Sequence, residues 1–127
     1  MSPHHLYVAI CGGRGDGLPR HWILMVHEFG SQQAIWYHST GGPTQGRQYE
    51  VLIQPKRFDS RGIEKHYFIG EISPSRFGKL KAAAQRTPPM YCQQWVVDVL
   101  RDLELRNGLV PQGTSNQWQA RVEPSPY

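Results

Sequence analysis

The sequence predicts an α+β fold, an antiparallel β-sheet followed in the chain by helices that pack against it. Three observations carry this reading. Short apolar runs broken by Gly and Pro recur from Leu6 to Ile72, the pattern of strands joined by tight turns. Beyond Ser73 the apolar spacing switches to that of a helix. The 127 residues, 39% of them hydrophobic, suffice for one packed core. The chain is read as a single domain over 1–127, with its core at about 6–108 and a polar tail at 109–127.

Each element has its own signal. Leu6 to Cys11 is a β-like run that stops at Gly12, and the stretch from Gly12 to Pro19 is too glycine-rich to continue it. His21 to Glu28 is the clearest strand, bounded by Pro19 and Gly30. Phe29-Gly30-Ser31 reads as a hairpin turn into Ala34–His38, and Ser39 to Gly46 reads as turn material. Tyr49–Gln54 and Lys65–Ile72 complete the sheet, with a polar connector between them. Pro74 to Gln85 fits a helix, with Ser73 or Ser75 near its cap and Thr87-Pro88-Pro89 as its stop. From Cys92 onward, Cys92, Trp95, Val96, Val99, Leu100 and Leu103 fall on one apolar helix face, and Asn107-Gly108 ends it. Pro111 to Tyr127 is polar with scattered prolines, a surface-hugging or loose tail whose Trp118 would suit a contact surface.

Composition excludes several classes. Charged residues are 19% of the chain, too few for a solvated tail or a coiled coil. The longest apolar stretch, Trp22 to Val26, is far too short for a bilayer span, so no membrane anchor is expected. No secretory leader is visible, and the expected location is cytoplasmic. The net charge is +4, but the 14 basic residues are dispersed. The densest group, Lys56 to Lys65, also holds Asp59 and Glu64, so nucleic acid is not expected as a partner. Two cysteines are too few for a disulfide scaffold and lack the paired spacing of structural zinc, so no cofactor is expected. Oligomeric state leaves no mark on the sequence.

The chemistry is expected at Cys92. A cysteine in the first turn of a helix meets unpaired backbone N–H groups and partial positive charge, which stabilise a thiolate. The same N–H groups can donate to an oxyanion formed on a substrate carbonyl. Such a thiol needs an imidazole to take its proton, and His21 and His38, on neighbouring strands, are the candidates. Strand parity puts His21, Ile23, Met25 and His27 on one face and Trp22, Leu24 and Val26 on the other. His27 lies about 20 Å along the strand from His21, which makes His38 the better third residue.

His21-Trp22-Ile-Leu-Met-Val26, Trp36-Tyr37-His38 and Tyr91-Cys92-Gln93-Gln94-Trp95-Val96 occur in an order that resembles the circularly permuted papain-like fold. Lecithin–retinol acyltransferases and NlpC-type cell-wall endopeptidases share that fold. The resemblance spans roughly Leu6 to Leu103. It implies a hydrolase or acyltransferase acting through a covalent thioester, with Cys92 as nucleophile, His21 as general base and His38 orienting the His21 ring. Tyr91 stands where the acyltransferases have Asn before the nucleophile, and the gap from His21 to His38 is longer than theirs. The expected substrate is a small molecule, an acyl compound or a peptide. Trp22, Trp36, Tyr91 and Gln93 are expected to bind it, with Arg14 and Arg20 available for an acidic group.

Rival readings use the same residues. Cys11 is a second thiol, but no helix follows it to lower its pKa. Gly12 to Gly17 lacks the Gly-Lys-Ser/Thr ending of a phosphate loop. His21, His38 and Cys92 match the ligand types of zinc. The Cys/His pair would also serve proton-transfer or addition chemistry, and a binding module would keep the fold without catalysis.

Overall fold

A computed structural model describes residues 4–12, 19–42 and 46–124. The five strands are β1 (His4–Cys11), β2 (Trp22–Glu28), β3 (Gln33–Gly42), β4 (Arg47–Arg57) and β5 (Ile63–Glu71). They form one sheet in the order β4-β3-β2-β1-β5, with every neighbouring pair antiparallel. The α+β expectation is met: helices follow the sheet and pack against it.

The central strand β2 is covered on both faces, which is why its sequence is a continuous apolar run rather than an alternation. Trp22, Leu24 and Val26 join Leu6, Val8, Ile10 and Tyr37 on the face covered by the helices. Ile23 and Met25 join Ala9, Ala34 and Trp36 on the other face, where Phe58 and Ile63 pack against them. Phe58 is drawn there by its backbone N–H, which donates to the Gln32 carbonyl at 2.9 Å.

Ser39 to Gly42, expected as a turn, continues β3. The glycines serve an irregularity in the ladder instead: the β3–β4 register shifts between Thr40 and Gly42, with φ at 96° for Gly41 and 103° for Gly42. A Cβ on Gly41 would stand 2.2 Å from the Gln48 carbonyl oxygen, so only glycine fits.

A 3₁₀ turn at Pro74–Arg76 leads into α1 (Phe77–Arg86), which buries Leu80, Ala83 and Ala84. Thr87 closes it by donating its hydroxyl to the Ala83 carbonyl at 2.7 Å, ahead of the two prolines. The second helix, α2 (Cys92–Asp102), buries Trp95, Val96, Val99 and Leu100, the expected face. It runs into a π turn at Leu103–Asn107 and ends on left-handed Gly108, φ 59°. Arg86 joins α1 to α2 through two bonds to Asp102, 2.7 and 2.5 Å long.

The tail is the main correction to the fold. Thr114–Gln119 forms a short helix, α3, that belongs to the core. Trp118 is only 5% exposed and meets Trp22 and Tyr67 edge-on, each with ring centroids 5.3 Å apart. It is a packing residue and not a contact surface. The entry to α3 is held by Glu104, which accepts from the Ser115 backbone N–H at 2.9 Å.

Candidate active site

Cys92 is the first residue of α2, and no side chain caps the turn it opens. Two clamps hold this end of the helix against the sheet. Ser39 of β3 donates to the Met90 carbonyl at 2.6 Å and accepts from the Met90 N–H at 3.1 Å. Gln93, fully buried, donates to the Arg20 carbonyl at 2.9 Å and to Glu123 Oε1 at 3.0 Å. Its own carbonyl accepts from the Glu123 N–H at 2.7 Å. The clamps bring Cys92 Sγ to 3.9 Å from the carbonyl oxygen of Arg20, whose peptide bond leads into His21.

His21 and His38 meet. Nε2 of His21 lies 3.0 Å from Nδ1 of His38, and Nε2 of His38 lies 3.2 Å from Oε1 of Gln54. A carbonyl oxygen only accepts, so His38 carries its proton on Nε2 and Nδ1 is an acceptor. Nε2 of His21 is therefore the donor to it, and in neutral His21 the basic nitrogen is Nδ1. Burial holds the His38 imidazole below the ordinary histidine range; its hydrogen bond to Gln54 opposes the shift, and Lys56 adds to it. A neutral His38 is the form this line of bonds requires.

The two sides of the sheet contribute separately. Register and the opposite-face cluster put Trp36, His38 and Gln54 on the face away from the helices, while α2 packs on the other. Parity alone left open which face the helices cover, and it is the Trp22 side. The site is thus at the end of β2, where Cys92 comes from one side and the imidazoles from the other.

The other expected residues divide. Trp22 is 2% exposed in the core, so it does not reach a substrate. Gln93 is a clamp, its amide committed at both ends. Trp36 is buried and stands edge-on to His38, ring centroids 5.9 Å apart, a wall for the imidazole and not an open contact. Arg20 turns outward and pairs with Glu64 at 3.2 Å rather than waiting for an acid. Tyr91 is half-buried on a groove of about 550 Å³. Arg14 lies outside the described residues. His27 is elsewhere, stacked on Phe58 and bonded to the Ser31 carbonyl at 2.7 Å. Cys11 packs at the edge of the opposite-face cluster, its N–H donating to the His21 carbonyl at 2.9 Å.

Among the described residues no group of three or more His, Cys, Asp or Glu side chains is arranged to hold a metal ion, so the zinc reading of His21, His38 and Cys92 lacks its geometry. No helix among them is long and apolar enough to cross a membrane. Sequence reasoning missed Gln54, Ser39 and Glu123. Gln54 left one signal, a polar residue at the end of the apolar run Val51–Ile53.

A family model described as a family of unknown function (DUF6540) matches residues 6–110, and the chain belongs to that family. The match takes in the sheet, α1, α2 and all three of Cys92, His21 and His38. Neither the curated proteins nor the solved structures contain a match to it.

Proposed function

We propose that this protein is a cysteine-dependent hydrolase or acyltransferase of circularly permuted papain-like architecture, working through a covalent thioester. The observation that carries the reading is the hydrogen-bonded line Gln54–His38–His21, which ends beside the peptide that Cys92 Sγ touches. Five antiparallel strands followed by a helix that opens on cysteine are compatible with that architecture.

In this reading His21 Nδ1 takes the Cys92 proton, and Sγ attacks the carbonyl carbon of an acyl or peptide substrate. The C–S bond forms as the carbonyl π pair moves onto oxygen, where N–H groups of the first turn of α2 stabilise the charge. Collapse breaks the bond to the leaving group, which takes the proton from the His21 imidazolium. Water or an acceptor nucleophile then attacks the thioester while giving its proton to His21, and Cys92 leaves as the thiolate. His38 acts on orientation: by accepting from Nε2 it keeps the basic nitrogen on the Nδ1 side.

The test is a pre-steady-state reaction with p-nitrophenyl acetate together with the pH dependence of alkylation. A nitrophenolate burst with an acetyl adduct on Cys92 is expected, lost in Cys92→Ala and slowed in His21→Ala. Alkylation of Cys92 should persist well below pH 8. Slow alkylation with an ordinary thiol profile, and no adduct, would overturn the reading.

A further inference from the structure

The groove that Tyr91 borders is walled by Tyr49, Met90, Gln94, Gln119 and Glu123 as well. Cys92 does not itself line it; the tie to the thiol runs through Arg20, whose N–H bonds Glu123 and whose carbonyl oxygen lies 3.9 Å from Cys92 Sγ. Among the described residues that line it, none is Lys, Arg or His, and Glu123 is its one full charge. Of the arginines close to its residues in sequence or by a bond, Arg121 lies over the Tyr67 and Trp118 rings, the Arg20 guanidinium pairs with Glu64 at 3.2 Å, and Arg47 lies 3.9 Å from Glu50.

Glu123 is held in place. Its Oε1 accepts from Gln93 Nε2 at 3.0 Å and from the Arg20 N–H at 3.4 Å, while Oε2 takes no part in these bonds. The contacts from Glu123 Oε1 to Gln93 Nε2 (3.0 Å), on to the Arg20 carbonyl (2.9 Å) and on to Cys92 Sγ (3.9 Å) bound the carboxylate within about 10 Å of the thiol. Beside it, Gln94 and Gln119 bond each other in both directions, at 3.0 and 3.1 Å. With one further bond to Asp98, three of their four amide protons are engaged, leaving one donor and spare acceptor lone pairs on the groove wall.

We infer that this groove binds the acyl part of the substrate of Cys92, and that this part is an aminoacyl or short peptidyl group whose protonated amine pairs with Glu123. An amino-acid residue spans about 3.5 Å, so the amine lies on the residue that is attacked or on its neighbour. The amides of Gln94 and Gln119 suit a peptide group, and the carboxylate repels acyl chains that carry an acid. The inference rests on Cys92 being the nucleophile.

Its test is the rate of modification at Cys92, read by mass spectrometry at low salt, with three methanethiosulfonates: aminoethyl, sulfonatoethyl and hydroxyethyl. On a chain of net charge +4 the overall field favours the anionic reagent, so a cation preference must be local. The aminoethyl reagent should react about fivefold faster than the sulfonatoethyl one. Glu123→Gln, whose amide oxygen can still accept from Gln93, should abolish that gap when both rates are taken relative to the hydroxyethyl rate of the same variant, and Gln119→Lys should reverse it. Equal or inverted rates in the parent protein, or a gap indifferent to both substitutions, would overturn the inference. A slow hydroxyethyl reaction throughout would instead sink the reading of Cys92 as an activated thiol, and this inference with it.

Discussion

Nε2 of His21 stands 3.0 Å from Nδ1 of His38, and the direction of that bond is set by a residue on a third strand, Gln54. Were the Gln54 amide to present its NH₂ instead, both imidazoles would turn over their tautomers, and His21 would offer a proton where the proposed mechanism has it accept one. In that mechanism the basic nitrogen is set by Gln54 through His38.

Gln54→Leu should leave the Nε2 proton of His38 without an acceptor and cost about 1–3 kcal/mol of stability. Cys92 alkylation near neutral pH should slow about tenfold or more, because His21 loses its fixed tautomer. Gln54→Glu should act differently. A carboxylate there raises the His38 pKa, and protonated His38 no longer accepts, so the acid limb of the alkylation profile moves to higher pH. Histidine NMR titration and alkylation kinetics check both, and unchanged profiles in the two variants would count against the tautomer argument.

Acid should destabilise the fold in two separate windows. His38 has a folded pKa below its ordinary 6.5, so the unfolded chain takes up its proton first. Its contribution is whole above pH 6.5 and is lost as the pH falls through the folded value. Asp102, held low first by its hydrogen bond from Arg86, keeps its contribution above pH 3.8 and loses it only below. Urea midpoints across pH should show the upper loss vanish in His38→Gln and the lower one in Asp102→Asn.

Trp118→Ala should cost about 3–5 kcal/mol, as for any large buried aromatic. The loss should be cooperative, with one unfolding transition, because Trp118 shares the core with Trp22. A loss under about 1 kcal/mol would mean α3 is a surface appendage.

Gly41→Ala should destabilise by about 2–4 kcal/mol, since it combines a positive φ with a clash against the Gln48 backbone. Gly46→Ala, positive in φ but with open space around its Cβ position, should cost less. Thermal melting of the pair separates the two effects.

Much of this architecture was legible in the residues. The run Trp22–His27 and the face formed by Trp95, Val96, Val99 and Leu100 follow from burial, and burial is what hydrophobic periodicity records. The pairing of His21 with His38 was legible too, because neighbouring strands bring such positions together. Gln54, Ser39 and Glu123 were not. Each works through polar contacts to residues distant in the sequence, and an isolated polar residue has no period to betray it. Trp118 failed for a related reason: a six-residue helix with one large apolar side chain is too short to show an amphipathic face. Gly41 and Gly42 were read by their usual role in turns, whereas here they serve a bulge.

The contacts that hold Cys92 at the sheet join residues 51 and 73 positions apart. Contacts of that span form late, after the local hairpins of the sheet. A chain still folding, with strands paired and helices undocked, therefore lacks the contacts that bring Cys92 to the sheet, and the proposed nucleophile would be assembled only in the completed native state.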